Sequence, residues 1–575
     1  MGIFTNFLAV YAVCSSLALR TYASKTPSLK VDLEYAVYQG FQDNSTDLNV
    51  WKGIRFAAPP IGSLRWKIPQ TPLVNRTVIQ ATNFGPNCPQ AYPAVPNARF
   101  IPGDEDCLFL NVYAPPFNGA KKLPVLVWIH GGGYGFGDGR QDMSTLINAN
   151  GKKFVVVSIQ YRLGAFGFLS SSEVKANGAL NAGLLDMKFA LEWIQKYIAL
   201  FGGDAKKVTI SGESAGAGAV MLLGIAKGGN FGTSLFRSGI AASPYLPPQY
   251  NYDGAIPVQR FNALVSAVGC STSGDALGCL RGKDSMALQQ ANSDITISGT
   301  YATWAYLPVT DGDFITALPS TALNTQKVNG KDILVGNNAN EGALFVPPIL
   351  STLDDLKAWL HLEFPTATDA DVDQILEAYP SSDAPVDPMA PKFATDGLGS
   401  ATAVNISQVA TGQQQRANNI YAEATFVCPS YWLSNAYSTR SSSSYHYQYS
   451  VPFASHADDV TAYCGPSAPN QSPSFSLAFR QIWGNFITQS SPRISSDAAV
   501  NTWPQWERGT GQKMLNLNET GGVPYQKATQ FGAPVTQFQD PGLTNDFAVV
   551  NAWNWEGRRG ERCEFWRTMG SKFSI

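Results

Sequence analysis

The chain has 575 residues, 44% of them hydrophobic, and a formal net charge of −2. That length suits several ordinary domains or one large α/β unit, and that apolar fraction fills a large core. A near-neutral chain without a long basic run or acidic tail offers no electrostatic route to nucleic acid or an anionic membrane, so its ligands must be recognised by shape and local chemistry.

Phe7 to Leu19 form an apolar run too short to cross a bilayer, followed by small residues up to Ala23. The segment reads as a secretory leader over 1–23, although no Lys or Arg precedes it, and 24–575 as the mature chain. A buried N-terminal helix is the alternative. The last residues, Gly570 to Ile575, carry no apolar tail, so neither a lipid anchor nor a retention signal is expected. Asn44, Asn75, Asn405 and Asn518 each begin an Asn-x-Ser/Thr tripeptide and are candidate glycan acceptors, while Asn470-Gln471-Ser472 is followed by Pro473 and is a poorer one. Of eight cysteines, Cys14 falls in the leader, which leaves an odd number for an oxidising compartment. Proximity favours Cys270 with Cys279 and Cys88 with Cys107. Spacing alone does not fix the connectivity.

The mature chain opens with Trp51–Gly62, read as a strand and a proline-rich corner, and Glu105–Tyr113 is a half-apolar strand. Pro124–His130 is apolar nearly throughout, as a strand covered on both faces should be, and runs into Gly131-Gly132-Gly133-Tyr134-Gly135. Phe154–Ile159 is a second such strand, before Tyr161-Arg162-Leu163-Gly164. Leu184–Ile194 has helical periodicity and leads through Phe201-Gly202-Gly203-Asp204 to the β-type run Lys206–Ser211. Strands alternating with helices, with glycine loops at strand ends, predict an α/β fold: a large, mostly parallel sheet flanked by helices, its site beyond the carboxyl edge. The run ends in Gly212-Glu213-Ser214-Ala215-Gly216. A sharp strand-to-helix turn there lifts the Ser214 hydroxyl clear of the sheet, and glycines on either side let strand and helix approach.

In this order and context, Glu105-Asp106-Cys107-Leu108, His130-Gly131-Gly132-Gly133, Tyr161-Arg162-Leu163-Gly164, Phe201-Gly202-Gly203-Asp204 and Gly212–Gly216 resemble the type-B carboxylesterase/lipase family, most of all its fungal branch. The likeness continues through Pro308-Val309-Thr310-Asp311-Gly312, Gly336–Gly342 and Cys563-Glu564-Phe565-Trp566, so it spans the mature chain as one unit, 24–575. It implies an α/β-hydrolase fold and a secreted serine hydrolase acting on carboxylic esters.

A serine hydroxyl needs a base within hydrogen-bond reach and an anion to orient that base. The chain has four histidines. His130 abuts the glycine loop and reads as loop-shaping, His361 falls in a predicted helix, and His446 in the alternating run Tyr445–Tyr449. His456 follows that run in a loop able to reach the carboxyl edge and is the expected base. Glu341 stands where the resembling enzymes carry their acid, after the strand Asp332–Val335, and Asp459 is the competing carboxylate. The family's oxyanion hole maps onto the N–H groups of Gly132, Gly133 and Ala215. The resemblance also pairs Cys88 with Cys107, Cys270 with Cys279 and Cys428 with Cys563, leaving Cys464 unpaired.

No cofactor or metal is expected, since neither a metal-type Cys/His spacing nor a phosphate-cradling loop occurs. The loop between Cys88 and Cys107 contains Tyr92 and Phe100 but no Trp, so no choline-type cation–π platform is expected. It also looks shorter than an interfacial flap, which favours a soluble-ester hydrolase over a lipase or sterol esterase. Tyr301, Trp304 and Tyr306 are candidates for an acyl pocket as well as for the core. A third reading is a catalytically silent adhesion domain, such as the family contains. Retention of Ser214, Glu341 and His456 argues against it.

Overall fold

The apolar runs of the sequence become the middle of one sheet. A computed structural model describes residues 29–116, 122–387, 389, 402–528 and 534–575, so the expected leader over 1–23 lies outside the described residues. Among the described residues eleven strands make this sheet, beside a separate sheet of three. In chain order they are β1 (Phe41–Asp43), β2 (Leu48–Arg55), β3 (Phe109–Ala114), β4 (Leu123–Ile129), β5 (Val155–Ile159) and β6 (Gly203–Glu213). Then come β7 (Ser238–Ala242), β8 (Asp332–Asn338), β9 (Ser443–Tyr449), β10 (Lys513–Ala528) and β11 (Pro534–Asn551). Across the sheet the order is β11-β10-β9-β8-β7-β6-β4-β5-β3-β2-β1. Neighbours from β10 to β5 run parallel, and the pairs outside them are antiparallel.

Alternation along each strand divides the core in two. Val125, Val127 and Ile129 of β4, Val155, Val157 and Ile159 of β5, and Val208 and Ile210 of β6 face one cluster. Their neighbours Leu126, Trp128 and Val156 face the other, with Leu334, Tyr445 and Leu515. Helices must cover both faces. The predicted helix is α1 (Ala182–Tyr197), and α2 (Ala215–Ile225), buried along its whole length, follows Ser214 directly.

The structure joins Cys88 to Cys107, Cys270 to Cys279 and Cys428 to Cys563, and leaves Cys464 buried and unbridged. Asn44 and Asn75 are exposed and Asn405 is half-buried. Asn518 requires a correction. It lies on β10, inside the pairing with β11, and is 1% exposed, so a glycan there has no room in the folded chain.

The Tyr161–Gly164 segment is anchored by a buried ion pair: Arg162 Nε and Nη2 donate to the two oxygens of Asp186 on α1, at 2.8 and 2.7 Å. Replacing one partner strands the other's charge. Arg162→Leu should cost ~3–5 kcal/mol in urea unfolding, and the added change Asp186→Leu should recover much of the loss.

Candidate active site

The parallel register brings distant parts of the chain to one rim. Ile129 at the end of β4 pairs with Gly212, Ala242 at the end of β7 with Glu213, and Asn338 at the end of β8 with Tyr449 of β9. The loops leaving these strands carry the glycine run, Ser214, Glu341 and His456.

Ser214 stands at the turn into α2 with φ 56° and ψ −125°, a conformation an L-residue holds only when its surroundings enforce it. Its N–H donates to Ala242 O at 3.0 Å, and its carbonyl accepts from Gly218 and Tyr245 N–H at 2.8 and 3.1 Å. The flanking glycines are sterically required. A β-carbon on Gly212 would lie 2.3 Å from Gly216 C, and one on Gly216 would lie 2.1 Å from Ile129 O. Beside the serine, Gly132 (φ 95°) and Gly133 (φ 60°) turn the chain so sharply that no hydrogen bond among the described residues uses their N–H groups.

His456 Nδ1 lies 2.5 Å from Glu341 Oε2. The other oxygen of Glu341 accepts from Ser243 Oγ at 2.5 Å and from Asn338 N–H at 2.6 Å, so the carboxylate is fixed from three directions. Asp459 does not meet the imidazole. It accepts instead from Asn338 Nδ2 at 3.2 Å and Tyr447 OH at 3.4 Å. The second ring nitrogen, Nε2, is buried without a hydrogen-bond partner and lies 3.2 Å from Glu213 Oε1, which is equally unpartnered. Phe345 and Phe426 hold the ring from the side at centroid distances of 5.1 and 4.4 Å.

Burial pushes the His456 imidazolium down, but the charges of Glu213 and Glu341 outweigh it and hold the group up, at about 9. Burial pushes Glu213 up to about 8 and Asp459 up to about 7, each reinforced by the other carboxylates. The other histidines differ. His130, pushed by burial down to about 4, stacks on Tyr161 and bonds Gly131 O through Nδ1 at 2.9 Å. His446, pushed down to about 3, uses both nitrogens on Ser434 and Asn337. His361 sits on α3 (Leu353–Glu363), with Nε2 3.0 Å from Asp369 Oδ1.

Ser214, His456, Glu213 and Gly131 to Gly133 line one cavity of about 580 Å³ whose other walls are largely apolar, among them Tyr92, Phe136, Trp304 and Phe345. Phe100 is not part of its lining. Of the three aromatic candidates only Trp304 reaches it, while Tyr306 is buried with its hydroxyl on Arg260 O and Tyr301 lines a small side chamber. Sequence reasoning passed over Glu213, Ser243 and Phe426. Glu213 was in plain view inside the serine pentapeptide; the other two lie on segments with no motif. Among the described residues no group of three or more His, Cys, Asp or Glu is placed to hold a metal.

A cavity lined by a serine at a strand-to-helix turn, an imidazole and a glycine loop is an arrangement suited to ester hydrolysis on an α/β sheet. Residues 27–532 match the carboxylesterase family, to which this chain belongs; it is a carboxylic ester hydrolase with the α/β-hydrolase fold. Lipase 5 of Diutina rugosa is 34% identical over 430 residues, covering 69% of this chain and 76% of that one. Secreted lipase 1 of Botryotinia fuckeliana is 30% identical over 510 residues, covering 82% and 86%. The crystal structure of Aspergillus niger EstA superposes with a TM-score of 0.77 at 27% identity, covering 95% of this chain and 99% of that one.

Because an ionised Glu213 favours the imidazolium, removing its charge should release the His456 proton more readily. In Glu213→Gln the His456 pKa should fall, read by NMR of protein labelled at its four histidines. An unchanged value would show that Glu213 does not control it.

Proposed function

We propose that the chain hydrolyses its esters through an acyl-enzyme on Ser214. His456 Nε2 takes the Oγ proton as Oγ adds to the ester carbonyl, and the N–H groups of Gly132, Gly133 and Ala215 receive the charge that grows on the carbonyl oxygen. The same nitrogen then passes the proton to the departing alkoxide. Water repeats the sequence on the acyl-enzyme and frees the acid. Glu341 holds the Nδ1–H tautomer and supports the imidazolium. The observation that carries this reading is the placement of His456: Nδ1 meets an oriented carboxylate, Nε2 makes no hydrogen bond and lies 3.2 Å from Glu213 Oε1, and the residue lines the cavity that Ser214 also lines.

We further propose that the leader over 1–23 directs export and that 24–575 forms the working unit, with glycans carried at Asn44, Asn75 and Asn405. Three bridges suit an oxidising compartment, relatives are named as secreted lipases, and among the described residues no helix is long and apolar enough to cross a membrane.

Ser214→Ala should lower turnover of a p-nitrophenyl ester by about five to six orders of magnitude. A phosphonate ester should add its mass to the peptide containing Ser214, and labelling elsewhere would overturn the assignment.

The substrate reading favours esters in solution, on the short Cys88–Cys107 loop. The names of the relatives favour the alternative, a lipase. Rates measured through the aggregation limit of long-chain esters decide between them: a smooth saturation curve is expected, and a jump at the limit would make the enzyme a lipase.

A further inference from the structure

Behind Trp304 lies a second cavity, of about 280 Å³. Trp304 is a wall of both this space and the Ser214 cavity. Tyr245 links them as well, since its N–H donates to Ser214 O and the residue lines the second space. The partition is held by packing. The indole lies against Gly133 and Gly135, stacks on Phe136 at 6.2 Å and meets Tyr245 edge-on at 5.7 Å, yet its N–H is buried with no hydrogen-bond partner. A side chain held by contacts alone can turn aside for a ligand without breaking a hydrogen bond.

The second cavity is lined largely by aromatic and aliphatic side chains, and into this lining the last residue of α3 brings a carboxyl group, Glu363. It is 8% exposed, and its Oε1 is buried without a partner. Burial alone pushes it up to about 8, and its charge would bear on Tyr245, Tyr250 and Tyr421. Arg260 and His361 also line the space, but the Arg260 charge bears on Tyr250 and Tyr306 and His361 Nε2 is on Asp369, and among the described residues no ion pair joins a cation to Glu363. An acid group kept neutral in an apolar pocket has one O–H to give and a carbonyl oxygen to offer. An alcohol answers both. An ammonium would first have to ionise the acid and shed its own water, and a carboxylate would leave the carbonyl oxygen unanswered.

We propose that this cavity is the distal subsite of the substrate and that Glu363 selects esters bearing a hydroxyl at the end remote from the scissile carbonyl. The inference rests on the hydrolytic reading of Ser214. The long chain lies along the Trp304 wall, and its terminal hydroxyl pairs with the Glu363 carboxyl.

The test compares kcat/KM for hydroxyl-ended and methyl-ended chains of equal length, once as p-nitrophenyl esters with the hydroxyl on the acyl half and once as acetates with it on the alcohol half. In one of the two series the hydroxyl-ended chain should be preferred by about tenfold, the factor one net hydrogen bond of ordinary strength supplies. Glu363→Gln should keep most of that ratio and Glu363→Leu should remove it, with the melting temperature of each variant checked. No preference in either series, a ratio untouched by Glu363→Leu, or a stronger preference for amine-ended chains would overturn the proposal. Calorimetric binding of the same ester pairs to Ser214→Ala protein separates the two readings: absent turnover with any ester defeats the hydrolytic reading, while equal affinity for the two chain ends defeats the subsite.

Discussion

Parallel pairing of β4, β6, β7, β8 and β9 is the constraint on which the site depends. A parallel ladder aligns the carboxyl ends of its strands, so every loop that leaves them emerges on one rim however far apart the strands are in sequence. The order β9-β8-β7-β6-β4 then sets who stands next to whom: glycine loop beside serine, serine beside Ser243, Glu341 beside the histidine loop. The pairing is strong because both faces are buried. A one-residue slip of β4 would turn Leu126 and Trp128 toward the side now filled by Val125 and Val127, and neither cluster would fit.

On that rim the local chain is under stress that the sheet absorbs. Ser214 is held in its unfavourable conformation by hydrogen bonds to β7 and to Tyr245, and the glycines at 212 and 216 allow α2 to begin with its backbone against β4. Electrostatics is stressed too, since Glu213, Glu341 and Asp459 share a water-poor region with one imidazole. Burial and the neighbouring carboxylates raise Glu213 and Asp459, and the carboxylates hold the imidazole up, so a proton placed on His456 is favoured by the same crowding that keeps Glu213 and Asp459 from ionising easily. Glu341 alone is fixed by hydrogen bonds from a backbone N–H, a hydroxyl and the imidazole. That asymmetry distinguishes it from the other two acids.

The parts of the molecule legible in the sequence were those whose physics is local. Buried parallel strands show as apolar runs, and β4, β5 and β8 lie where the runs at 124–130, 154–159 and 332–335 place them. The turn at Ser214 declares itself through glycines that its geometry cannot do without. The β10–β11 hairpin gave no such signal, because Gly521, Gly522, Pro524, Pro541 and Gly542 interrupt both strands and the pairing simply bulges around Gly521 and Val523. Asn518 was misjudged for the same reason: nothing in its tripeptide announces burial in a sheet. The π-helical turn Glu423–Val427 was equally silent. It sits where Arg559 and Arg562 of the C-terminal helix (Trp555–Phe573) bind Glu423 and where Cys428 is bridged to Cys563, contacts made across more than a hundred residues of sequence.

That same turn explains how the late chain reaches the early site. Glu423, clamped by two arginines at 3.3 and 2.7 Å, fixes one side of the widened turn, and Phe426 on the other packs 4.4 Å from the His456 ring and 5.5 Å from Tyr245. Within this one turn Glu423 serves the ion pairs and Phe426 the aromatic wall. The C-terminal helix therefore belongs to the site's supporting structure although none of its residues lines the Ser214 cavity. Its ion pairs and its bridge flank the turn that carries Phe426, and Phe426 packs on the imidazole whose Nδ1 meets Glu341.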